Sequence, residues 1–214
     1  MTTTTFLRSP AAVLGLALGM AATAADAQIY KAGDLAITGN VGATTDYIFR
    51  GVSQSNSEPA FQAGLDATYK MFYVGVWGSH IDFGKGVGGF AEIDYYAGIK
   101  PTWGPVTFDF GVIYYTYPGA NDPLAELDYV EVKAGASVAI QKLTIGGVAY
   151  YSPEYTAKQD GVITLEGTVA YELPSIGKVT PTLSALLGTS IGDAGKGFFT
   201  ANGADSYLYW NAGV

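Results

Sequence analysis

The chain has 214 residues, of which 49% are hydrophobic and only 14% charged, with 29 glycines, 16 tyrosines and a net charge of −8. That acidic balance argues against nucleic acid as a partner. With no cysteine and one histidine, His80, the chain can build neither a disulfide-stapled miniprotein nor a thiolate or histidine metal cluster.

The N-terminus reads as a targeting segment. Arg8 supplies a positive region, residues 11–22 a short apolar core, and Ala25-Asp26-Ala27 a small-residue cleavage site, so residues 1–27 are expected to be a signal peptide and residues 28–214 the mature domain. Cleavage removes Arg8 and Asp26 together and leaves the net charge at −8. No mature stretch approaches the roughly 18 consecutive apolar residues of a spanning helix.

From Leu35 onward the dominant period is two. Leu35, Ile37, Val41, Ala43, Tyr47 and Phe49 alternate with Ala36, Thr38, Asn40, Thr44 and Asp46, which predicts a first strand running through Phe49. Phe61, Ala63, Leu65, Ala67 and Tyr69 alternate with Gln62, Gly64, Asp66 and Thr68, and similar runs follow at 72–79, 91–100, 106–115, 129–138, 143–151, 162–172 and 179–188, with a last one from Tyr207. About ten strands with no helix between them make a meander-like all-β chain without a domain boundary.

The connections alternate in length. RGVSQSNSEP, HIDFGKGVGG, YPGANDPLAE, SPEYTAKQDG and GTSIGDAGKGFFTANGADS are long, whereas Lys70-Met71, KPTWGP, AIQKL and ELPSIGK are tight. Long loops at one end and short turns at the other are the asymmetry of an antiparallel up-and-down transmembrane β-barrel of the outer membrane. The loops that contain Ser55, Asn121 and Gly195 are then expected outside the cell, and Lys70 and Ile176 in the periplasm. Aromatics collect at strand ends: Tyr47, Phe49, Phe61, Tyr114, Tyr117, Tyr151, Tyr207 and Tyr209 toward the loops, and Tyr69, Phe72, Tyr73, Trp103 and Tyr171 toward the turns. They predict two interfacial girdles.

Charge placement agrees with that class. Asp66, Glu92, Asp94, Asp109, Glu131, Lys133 and Glu166 all fall on the polar series of their strands, where they would line a lumen, and none faces lipid. A soluble lipocalin-like barrel would have the opposite arrangement, and about seven charges are too many for its apolar cavity.

The segments TDYIFRGVSQS (45–55), PAFQAGLDATY (59–69), FYVGVWGS (72–79), EIDYYAGIKP (92–101) and FDFGVIYYTYPG (108–119) resemble the TorF-type porins, also described as the Gcw_chp conserved hypothetical outer-membrane proteins. The resemblance implies an outer-membrane barrel of porin type and carries over no catalytic residue. The chain stops at WNAGV, short of a final aromatic-ended strand, so the family pattern predicts a further hairpin and about twelve strands in the full-length protein.

Arg50 is the unusual residue of the first strand's end. Continued alternation places it inward with Asp46, where it lines the lumen, pairs with an interior carboxylate, or reaches lipopolysaccharide phosphate at the rim. Other chemistry is weak. Ser79 and His80 point to opposite faces, so they form no catalytic dyad, and DAGKG lacks phosphate-loop spacing.

The expected function is therefore not enzymatic and needs no cofactor. It is passive diffusion of small solutes through a charge-lined lumen, with a non-conducting structural or surface-interaction barrel as the alternative. Acids in the loops (Glu58, Asp82, Asp122, Glu126, Glu154, Asp160, Asp193, Asp205) and in the lumen predict a preference for cations. The expected partners are outer-membrane lipid, lipopolysaccharide, small solutes or cations, and the outer-membrane assembly machinery.

Overall fold

A computed structural model describes residues 25–84, 87–120, 126–177, 179–193, 195 and 203–214. The greater part of the expected signal segment, Asn121 and Asp122 lie outside them. Beside a 3-10 turn at Thr156–Lys158, the elements complete within the described residues are strands: β1 (Ala25–Ala32), β2 (Leu35–Thr44), β3 (Ile48–Phe49), β4 (Val52–Ser53), β5 (Ala60–Tyr69), β6 (Phe72–His80), β7 (Ala91–Ile99), β8 (Thr102–Trp103), β9 (Val106–Thr116), β10 (Tyr129–Ile140), β11 (Leu143–Tyr155), β12 (Gln159–Glu172), β13 (Thr182–Ile191) and β14 (Ser206–Gly213).

One antiparallel sheet takes the order β1-β2-β5-β6-β7-β9-β10-β11-β12-β13-β14, with β8 folded back on the start of β9. Tight turns set several of the pairings, Tyr69 with Phe72, Ile140 with Leu143 and Ala32 with Leu35, and the strands joined by long loops also lie side by side. Strand β1 has no counterpart in the alternation read above. It follows the targeting-like run and carries too few apolar residues of one parity to show a period.

The two faces of the sheet differ in chemistry. The outward series of β2, β5 to β7 and β9 to β14 contains no Asp, Glu, Lys or Arg. It presents Val41, Phe61, Val74, Phe110, Val132, Leu165, Leu187 and Trp210 as exposed side chains. The other face carries the charges and is concave, because strands far apart in the order all touch one short segment. Residues 47–51 meet Trp77 of β6, Glu92 of β7, Tyr115 of β9, Glu131 of β10, Tyr150 of β11 and Tyr209 of β14. The core packs on this face toward the long loops, from Tyr47, Ala60, Ile81, Ile113, Tyr115, Tyr117, Leu127, Tyr129 and Tyr150.

The first strand departs from the expectation. β2 ends at Thr44, and Ile48 to Ser53 form a separate hairpin, β3–β4. Its central pair, Arg50 (φ +48) and Gly51 (φ +80), adopts the left-handed conformation at both positions, as a two-residue turn matched to strand twist requires. Asp46 therefore does not line the concave face in a strand. Its carboxylate accepts hydrogen bonds from the Ser53 hydroxyl (2.6 Å) and the Ser55 hydroxyl (3.0 Å), closing the base of the hairpin. The Tyr47 amide donates to Ser55 Oγ at 2.9 Å, and Ser55, whose loop is expected outside the cell, is fully buried.

The aromatic girdles are also only partly as expected. Phe61, Tyr114 and Tyr151 at the loop end, and Tyr69, Phe72, Trp103 and Tyr171 at the turn end, stand exposed on the outward face. Tyr47, Tyr117 and Tyr209 are buried, and Tyr73 turns inward to bond Asp109. Strand parity decides this: Tyr73 and Tyr209 belong to the inward series, whose neighbours in the pairing register are glycines.

Candidate functional site

Three inward rows repeat one arrangement, two of them toward the turn end and one nearer the loops. Asp66 on β5 is opposite Gly75 on β6, which is opposite Tyr96 on β7; the tyrosine lies across the glycine and its hydroxyl donates to Asp66 Oδ1 at 2.7 Å. Likewise Glu166 on β12, Gly188 on β13 and Tyr209 on β14 are in register, and the Tyr209 hydroxyl donates to Glu166 Oε1 at 2.7 Å. In the third row Tyr73 crosses Gly98 and Gly111 to donate to Asp109 Oδ1 at 2.7 Å. Glycine is needed there because the ring occupies the space where a Cβ would stand. Lys133 Nζ donates to Asp109 Oδ2 at 2.9 Å, and Lys100 approaches the same oxygen at 3.9 Å.

Toward the loops the concave face is closed. The Arg50 guanidinium donates from Nη1 and Nη2 to the two oxygens of Glu131, both at 2.8 Å, and lies 4.7 Å from the ring centroids of Phe49 and Tyr150. The Tyr115 hydroxyl adds a 3.1 Å bond to Glu131 Oε2. Of the three placements open to Arg50 from sequence, this is pairing with an interior carboxylate. A fork of two parallel N–H donors with rings on the guanidinium compensates its burial far better than a lysine would.

Beside this clasp, the Tyr47 hydroxyl donates to Glu92 Oε1 at 2.9 Å. Asp94, two residues along β7, shares the face with Glu92 and is 1% exposed, yet both its oxygens and Glu92 Oε2 lack a hydrogen-bond partner. Above the hairpin a cleft of about 320 Å³ opens between Phe49, Gln54, Phe83, Tyr117, Tyr129 and Tyr155.

Of the residues expected to line a lumen, Arg50, Asp66, Glu92, Asp94, Asp109, Glu131, Lys133 and Glu166 all sit on this face, where acids outnumber bases; Asp46 is the exception. The tyrosine hydroxyls that hold the acids were not singled out from sequence, although an inward tyrosine facing an inward glycine was a usable sign. Among the described residues no group of three or more His, Cys, Asp or Glu is placed to hold a metal ion.

A family model for bacterial proteins of unknown function, Gcw_chp, matches residues 28–214. The chain belongs to the Gcw_chp family. No curated protein and no solved structure matches it. The match spans the whole strand array from late β1 to β14, so the hairpin, the clasp and the tyrosine rows lie within the family's extent.

Proposed function

We propose that this Gcw_chp protein is an exported outer-membrane β-barrel whose charge-lined lumen is a passive route for small cations, held shut at its outer end by the β3–β4 hairpin. The observation that carries the reading is the division of the sheet: an outward face without a charge, and an inward face that holds Asp66, Glu92, Asp94, Asp109, Glu131 and Glu166 against Arg50 and Lys133. An apolar outside with a charged inside suits lipid around and water within. No described helix is long and apolar enough to cross a membrane, so crossing falls to strands. Closing the sheet into a barrel satisfies the backbone groups of edges β1 and β14, which lipid cannot.

The resemblance of residues 45–119 to TorF-type porins supports the conducting side of the reading, and the acid excess sets its preference, since carboxylate rings concentrate cations. A second reading, a non-conducting barrel, is favoured by the packing of Tyr47, Arg50, Ile113, Tyr115 and Tyr150 across the loop end.

Planar-bilayer recording separates the two. The intact chain is expected to show little conductance, and deletion of residues 48–53 with a two-glycine bridge to open small events whose reversal potential in a potassium chloride gradient favours potassium. A deletion variant that folds, inserts and stays silent would leave the non-conducting barrel as the function.

A further inference from the structure

The clasp accounts for Arg50 and Glu131 but not for the two acids beside it. Glu92 and Asp94 are i and i+2 on β7, so their side chains leave the same face, and the two carboxyls interact directly. Asp94 pairs in register with Trp77 on one side and Tyr115 on the other, which gives it aromatic walls. Tyr47 stacks edge-on against Trp77 at 5.5 Å while its hydroxyl fixes Glu92 Oε1, leaving Oε2 free. Arg50, whose charge acts on Glu92, gives both terminal nitrogens to Glu131, and its Nε makes no hydrogen bond. Fully ionised, the four groups would sum to −2 in a buried place, and no N–H or O–H donor reaches Asp94 Oδ1, Asp94 Oδ2 or Glu92 Oε2. Buried carboxylates persist only with a compensating charge or proton.

We infer that Glu92 and Asp94 form a binding site for one hard divalent cation of the calcium class, beneath the β3–β4 hairpin. The donors are all oxygen, which selects hard cations, and a charge of +2 neutralises the pair. Calcium fits better than magnesium, because its coordination is flexible and accepts an irregular set of carboxyl oxygens completed by water, whereas magnesium demands near-ideal octahedral geometry. Tyr47 is a positioning residue: its hydroxyl holds Glu92 Oε1 and so fixes the carboxyl in place. A cation here would also tie β7 to the segment that carries the hairpin. The site stands whether or not the barrel conducts.

The test uses the purified full chain in detergent micelles with terbium as the probe, excited through Trp77 and its tyrosine neighbours and displaced by calcium. The intact protein is expected to show calcium-displaceable emission and a calcium-dependent rise in the temperature at which its folded band is lost on gels. Asp94→Asn and Glu92→Gln are each expected to weaken terbium binding by about tenfold or more and to abolish the rise, since affinity follows ligand charge. Both variants remove uncompensated charge, so they should keep the folded band. Glu58→Gln, in an exposed loop, should change neither reading. Emission that is absent, or unaltered in both variants, overturns the site. So does stabilisation by acid without any by calcium, which would mean that the two carboxyls share a proton.

Discussion

Arg50 occupies a backbone conformation that costs a non-glycine residue on the order of 1 kcal/mol, and it does so in order to aim its fork at Glu131. The compensation is charge: truncating either partner leaves the other buried and alone. Arg50→Ala is expected to destabilise the fold by about 3–5 kcal/mol, whereas Arg50→Met combined with Glu131→Leu should lose much less. Urea unfolding followed by the heat-modifiable gel shift measures both, and equal losses in the single and double variants would show that the ion pair is not what the hairpin relies on. The tyrosine rows make an equally local statement. Gly75→Ala drives a methyl into the Tyr96 ring and should cost about 1–3 kcal/mol. Gly167→Ala, with nothing within 4 Å of the added carbon, should be neutral or slightly stabilising, because glycine weakens a strand. The same unfolding series compares them.

At the scale of elements the hairpin is the device that distinguishes this sheet from a plain meander. Gly51, at φ +80, allows the turn and lets Tyr209 of β14 approach; Gly51→Val introduces both a strained backbone and a clash. The expected result is a hairpin released from the concave face with the sheet retained: protease cuts within 48–56 while the folded core band survives. A variant as resistant as the parent would show that the turn is not what holds the hairpin in. Sequence reading made the opposite assignment here, carrying the first strand through Phe49. Alternation of Tyr47, Ile48 and Phe49 fits a strand in either place, and only the Arg-Gly pair carried a turn signal, one weaker than Asn-Gly. The tyrosine rows were hidden for a related reason. Each joins three strands, so the glycine and the acid that a tyrosine meets are fixed by register and not by distance along the chain.

For the whole molecule, the membrane reading makes two expectations. Val112 stands mid-strand on the outward face, so Val112→Arg should cost about 2–4 kcal/mol in lipid, far more than an arginine on a solvated sheet. Folding yield into vesicles measures this, and a tolerated arginine would count against lipid on that face. Orientation is tested by cysteine labelling of intact cells, with Asn56 as the outer reporter in place of the buried Ser55, and exposed Lys70 as the inner one. Labelling at 70 but not at 56 would invert the topology.

The period-two pattern, the alternation of long and short connections and the sorting of charges to one parity were enough to determine an all-β antiparallel sheet with one apolar and one charged face. Those are local properties, since parity follows from the pleat and neighbours follow from tight turns. What the charged face does with its residues was decided by curvature. Glu131 lies 81 residues beyond Arg50, and Glu92 lies 45 beyond Tyr47. Only a sheet rolled around the hairpin brings them within hydrogen-bond reach, gives Arg50 its partner and leaves Asp94 without one.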